Sequence, residues 1–209
     1  MNNDENPTLL MQFPICVLRS VIEHVPSLAE ECCTLLAPSL TKCIAHPDNT
    51  LSCISALGVC AMFGGQGFDS QCGSAVTALL AATGADSSAQ ILDPDSDLDP
   101  ESVKDTAHGS LFRISVYRSN ALQGASTQLL QHSLRNLPLT GIVSEARDVH
   151  RLFVDLVAAG DPRLLGSSGL MENLSQVLYC TFCHERSILF CTTFTYSVRT
   201  IQRCFILFV

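Results

Sequence analysis

The sequence predicts an all-α chain in which amphipathic helices pair antiparallel across short turns and stack into an α-solenoid. Three observations carry this. Residues 46–65, HPDNTLSCISALGVCAMFGG, read as one buried helix with both ends marked. Helical patterns follow one another along most of the chain, with Pro, Gly and Asp punctuating the gaps. Residues 143–159 form a strongly amphipathic helix stopped by Gly160. Helix pairs of this size, repeated, are the signature of a solenoid.

Taken in order, residues 7–25 read as a helix bent at Pro14, because an interior Pro removes one backbone hydrogen bond. Pro26 opens the next helix, where its missing N–H is no loss. Pro38 either interrupts that helix or starts a new one. In the stretch 46–65, Asp48 or Asn49 can cap the N-terminus, and Gly64 and Gly65 stand where the left-handed C-cap belongs. Leu51, Ile54, Leu57, Ala61 and Met62 recur at three- and four-residue steps, and Cys53, Ala56, Val59, Cys60 and Phe63 fill the other side. A helix apolar nearly all round is buried between neighbours. Gly58 costs about 1 kcal/mol of helix propensity, which close approach of an adjacent helix explains.

Residues 68–82 are a further helix closed by Gly84, and 85–100, ADSSAQILDPDSDLDP, an acidic loop. Residues 101–117 resume a helix on Val103, Ala107, Leu111, Ile114 and Val116, capped by Asp99 and with Glu101 at the positive end of its dipole. Residues 121–136 are helical, LPLTG is a turn, and 169–178 begin one more helix. In the helix over 143–159, Val149, Leu152, Phe153, Leu156 and Val157 face in. Glu145, Arg147, Asp148, Arg151 and Asp155 face out.

The chain has 209 residues and a net charge of −8. That charge is uneven: up to residue 175, nine Lys plus Arg stand against nineteen Asp plus Glu, while the remainder is net +2. An acidic body repels phosphates, which argues against nucleic acid, and attracts basic partners. The polar N-terminus lacks the pattern of a secretory signal. No apolar run reaches the roughly 18 residues that span a bilayer. A soluble, intracellular protein is expected, and its eleven cysteines then read as reduced thiols on apolar helix faces.

The helix–turn–helix over residues 35–65, with Pro and Asp in its turn and Ala-Leu-Gly in its second helix, resembles the HEAT repeat. Residues 130–166 carry Leu134, Leu137, Pro138 and Leu139, then Glu145 and Phe153 in the next helix, then Pro-Arg-Leu-Leu-Gly at 162–166. Together with Phe63, Gly64 and Gly65 upstream, and in this order, these segments resemble the C-terminal repeats of the importin-beta (karyopherin-beta) family, nearest the karyopherin beta-three branch. The resemblance covers roughly residues 35–178. It departs at Ser52, which stands where the family's turn places an Arg that ladders between repeats.

That resemblance implies a nuclear import receptor fragment working in cytoplasm and nucleus. It would bind basic cargo such as ribosomal proteins or histones, and nucleoporins; the GTPase Ran would bind only a full-length receptor. The second helix of each repeat, near 51–63, 102–117 and 145–158, would line the concave surface. Candidate cargo contacts are Asp93, Asp95, Asp97, Asp99, Glu101, Asp105, Glu145, Asp148 and Asp155. The alternative is a helical-repeat scaffold for complex assembly without a transport role.

Residues 1–178 thus form the solenoid fragment. The Cys-, Phe- and Thr-rich tail over 179–209 departs from the family pattern, as a retained intron or shifted reading frame would, and is read as irregular. Its Cys180, Cys183 and His184 spell the haem-attachment pattern C-x-x-C-H, but no export signal accompanies it. A zinc site from Cys180, Cys183, Cys191 and Cys204 has only its first pair correctly spaced. Asp93, Asp95, Asp97 and Asp99 alternate like an EF-hand, yet Leu98 and Lys104 occupy the positions that need Gly and Glu. No metal or cofactor is expected. With no nucleophile elbow or phosphate loop, the sequence reads as a binding protein and not an enzyme.

Overall fold

The computed structural model describes residues 7–45, 50–84, 99–164 and 170–184. All regular structure among them is helical. α1 (Pro7–His24) contains Pro14. α2 (Pro26–Cys43) starts on Pro26 and continues through Pro38. The expected interruption at Pro38 does not occur. Ala37 and Leu40 flank it and are buried, and that burial holds together a helix that an interior Pro costs about 3 kcal/mol.

α3 (Thr50–Phe63) is buried at every position from Cys53 to Ala61. Its expected caps Asp48 and Asn49 lie outside the described residues. Gly65 adopts the left-handed conformation, φ +53°. A Cβ on Gly58 would lie 2.7 Å from Ser110 Oγ and 3.2 Å from Arg113 Nη1. The next helix in the row therefore approaches α3 as closely as the glycine implied.

The single helix expected over 68–82 is two: α4 (Gly65–Asp69) and α5 (Cys72–Ala82). The physical reason is Gly67, where a Cβ would sit 2.4 Å from both Glu30 O and Thr34 Oγ1. α4 lies hard against α2, so the chain must turn before α5 can reach the helix that follows the loop. That helix, α6 (Pro100–Tyr117), is capped by Asp99 as expected. α7 (Ala125–Leu134) is shorter than anticipated, because Gln123 at φ 52° breaks the helical path before Gly124. The LPLTG turn contains a cis Leu137–Pro138 bond. α8 (Val143–Ala159) ends on left-handed Gly160, at φ 67°. A 3-10 turn (Pro162–Leu164) leads towards α9 (Leu170–His184).

α9 corrects the expectation that helical character stops at residue 178. Leu174 and Val177 anchor one face, no Pro or Gly intervenes, and the helix runs on through Cys180 to His184. The tail beyond His184 lies outside the described residues.

α1, α3, α6 and α8 are successive neighbours in one row. α2 packs on α1 and α3, α5 and α7 pack on α6, and α9 packs on α8. Two apolar clusters result, and both draw on α6. Leu111 and Ile114 join the cluster of the first five helices. Phe112 joins that of α7, α8 and α9, meeting Phe153 edge-on with ring centres 6.5 Å apart.

Candidate functional site

α6 is where the sequence's polar residues and the row's packing meet. Position after position from Asp105 to Ser115 is buried, including Asp105, Thr106, His108, Ser110, Arg113 and Ser115. Buried polar groups need partners: Thr106 and Ser115 donate to carbonyls of α6 itself, His108 Nδ1 has none, and Ser110, Arg113 and Asp105 find theirs on neighbouring elements. Ser110 Oγ donates to Ile54 O in α3 at 2.8 Å. Arg113 Nη1 donates to Glu145 Oε1 in α8, with both side chains almost fully enclosed. Asp105 Oδ2 accepts from the backbone amides of Thr140 and Gly141, at 2.6 and 2.7 Å. His150 Nε2 accepts from Leu139 N at 3.0 Å, which ties the same turn to α8.

Two of the nine expected surface carboxylates are therefore interior groups. Asp105 is spent on holding the turn before α8, and Glu145 faces in, not out, because it neutralises Arg113 where an unpaired guanidinium would be costly. Neither presents a free carboxylate to a partner. Asp99 is exposed and serves as the cap of α6, accepting from the Glu101 and Ser102 amides, each at 3.2 Å. The Ser102 hydroxyl and those amides hold its carboxyl below the usual carboxylate range. Glu101 is exposed, 3.6 Å from Lys104 Nζ. Asp148 is two-thirds exposed and 3.9 Å from Arg113 Nη2, and Asp155 is half-buried. Asp93, Asp95 and Asp97 lie outside the described residues.

The expected open surface is also revised. Residues 51–63 and 102–117 do not line a groove, since α3 and α6 are enclosed nearly all round by their neighbours. α8 keeps a solvated side, where Arg147, Asp148 and Arg151 are exposed. On the far side of the row, α1 exposes Phe13 and Val17 beside a shallow groove of about 390 Å³ lined by Cys16, Val17, Ser20, Val21, His24 and Val25.

Two arginines that sequence reasoning passed over hold successive row helices. Arg118, just past α6, donates from Nε to Ala61 O and from Nη1 to Gly65 O, closing the C-terminal turn of α3. Its Nη1 also lies 3.6 Å from Asp69 Oδ1. Arg163, just past α8, donates from Nη1 to Ser115 O near the end of α6, while Asp161 grips the rest of its guanidinium. That contact holds the Asp161 carboxyl low. Cations suit helix C-termini, whose last carbonyls lack intrahelical partners. A ladder thus exists, but its rungs follow the row helices instead of sitting at Ser52. The available signal was a basic residue shortly after two of the row helices, Arg118 directly after α6 and Arg163 four positions past α8.

His108 and His132 form a second buried feature, with ring centres 5.6 Å apart. Burial pushes the His108 imidazole down to about 4, helped by His132 and Lys104. Among the described residues no group of three or more His, Cys, Asp or Glu side chains is arranged to hold a metal ion, and no helix is long and apolar enough to cross a membrane. Compared with known proteins, the chain matches no family model, no curated protein and no solved structure.

Proposed function

We propose that this chain is a helical-repeat binding module of the importin-beta type, engaging basic protein cargo through exposed carboxylates in nucleocytoplasmic transport. The observation that carries the reading is the row α1–α3–α6–α8 with Arg118 and Arg163 as its rungs. The steps from α3 to α6 and from α6 to α8 share one relation, an arginine past the later helix donating to carbonyls at the end of the earlier one, and repetition of such a relation is how a solenoid propagates. The net charge of −8 supplies attraction for basic partners. The contacting residues are the exposed Asp99, Glu101 and Asp148 and the half-buried Asp155, with Asp93, Asp95 and Asp97; Asp105 and Glu145 drop out. Single exposed pairs contribute about 0–1 kcal/mol, so binding is multivalent.

The test is a salt titration of the purified chain against a histone or basic ribosomal protein. Saturable binding at physiological salt, weakened by Asp148→Lys with Asp155→Lys, supports the reading. Binding that disappears there, or that does not distinguish cargo from an unrelated basic protein, refutes it. The apolar groove on α1 favours a second reading, a scaffold that assembles complexes through apolar contacts. Salt-insensitive capture of a partner lost on Val17→Asp would select it.

A further inference from the structure

α1 turns two faces in opposite directions. Ile15 and Ile22, seven positions apart, are buried in the apolar cluster of the first five helices. At 3.6 residues per turn, Phe13, Val17, Ser20 and His24 fall on the reverse of the helix, at steps of four, three and four. All four are exposed, Phe13 at 73%. Such steps are those of the seam between two paired helices. The groove of about 390 Å³ runs along this same face, with Cys16, Val17 and Ser20 at one end and Val21, His24 and Val25 at the other. Phe13 stands one turn before it.

We propose that this face binds a second copy of the chain, α1 against α1 about a two-fold axis. The proposal rests on the apolar-contact reading of the groove and names its occupant. The shape of the face selects a copy first, because one helix carries both knob and hole. An antiparallel pair centred between Val17 and Ser20 sets residue 13 against 24 and residue 17 against 20. Each Phe13 then enters the His24 end of the other groove, and one symmetry operation fills both.

Charge and continuity agree. The chain carries −8, so two copies repel unless they meet where acidic groups are absent. The seam holds no Asp, Glu, Lys or Arg, and Arg19 and Glu23 stand to its flank. α1 is also the first helix of the row and packs on α3. The copy's α1 takes the opposite side, as one more row helix, and the row runs through both chains. Residues 13–24 span about 18 Å of a helix about 10 Å across, a strip that buries less than the roughly 1,200 Å² of a stable interface. The dimer is therefore weak and reversible, and forms on concentration.

Sedimentation of the full chain over a concentration series tests this, with alkylation of Cys16 as a second readout. A reversible rise from 22.5 kDa to twice that mass is expected, with Cys16 protected as the dimer forms. Phe13→Asp should raise the dimer Kd by at least about tenfold, the worth of one buried Phe side chain. Ser20→Leu should lower it, because only an apolar seam opposite Val17 rewards that change. Tyr179→Asp, at a side chain 70% exposed on α9 at the other end of the row, should leave it unchanged. All three sites are exposed, and circular dichroism checks that each variant folds. A chain that stays monomeric at every concentration overturns the proposal. So does a dimer indifferent to Phe13→Asp, or one weakened equally by Tyr179→Asp. Cys16 protected in the monomer would assign the groove to another part of the same chain and overturn it too. A monomer that captures a different protein, and loses it on Val17→Asp, would overturn the second copy while leaving the apolar-contact reading of the groove intact.

Discussion

Replacing Glu145 by Ala tests whether α6 and α8 are joined by a charge pair that has left solvent. The Arg113 and Glu145 side chains retain 5% and 7% of their exposure. The other carboxylate within reach of Arg113 is Asp148, 3.9 Å away and 66% exposed. A pair that open to water is worth about 1 kcal/mol or less, so Asp148 cannot replace Glu145. Removing one partner of a buried pair costs about 3–5 kcal/mol. At about 2–4 °C per kcal/mol for a chain of this size, the melting temperature should fall by roughly 6–20 °C. The double variant Arg113→Met with Glu145→Leu removes both charges and keeps the volume filled, and should return close to the parent stability. Thermal and urea melts followed by far-ultraviolet circular dichroism measure both. A single-variant loss under about 1 kcal/mol would mean that water reaches the pair. A double variant as unstable as the single one would mean that packing, and not charge, joins the helices.

Three further outcomes follow from the geometry. Gly58→Ala should destabilise, because overpacking against Ser110 Oγ costs about 1–3 kcal/mol and exceeds the roughly 1 kcal/mol gained in propensity; a urea midpoint that rises instead would contradict the close approach of α6. Asp105→Ala should lose about 1–3 kcal/mol and abolish amide-exchange protection at Thr140 and Gly141, whose N–H groups it accepts. His108 is held down to about 4 from its ordinary 6.5, so the unfolded chain binds the extra proton between those values. Its contribution is complete above pH 6.5 and is lost as pH falls towards 4. Melts of His108→Leu should show a shallower fall across that window than the parent, and an unchanged slope would remove His108 as the cause.

Much of the helical layout could be read from local chemistry. Asp99 capping α6, the stop of α8 at Gly160 and the close approach at Gly58 follow from the shape of single residues, which a linear pattern displays. The same pattern failed at Pro38 and at residues 70–71. There, packing of α2 on α3 overrides proline's preference, and Gly67 against Glu30 forces a bend that the apolar periodicity of 68–82 does not record. It failed again at residue 178, where anchoring by Leu174 and Val177 carries the helix on to His184.

The candidate surface was the least legible part. On a helical wheel Glu145 belongs with the exposed charges of α8, and Asp105 with those of α6. Only the arrival of Arg113 beside one, and of the Thr140 and Gly141 amides beside the other, turns them inward. The sequence alone determined an acidic chain of paired helices, because composition and periodicity are properties of the strand itself. Which carboxylates remain for a partner and which arginines bind the row together were decided by the tertiary structure, because each depends on a contact between residues some thirty to sixty positions apart.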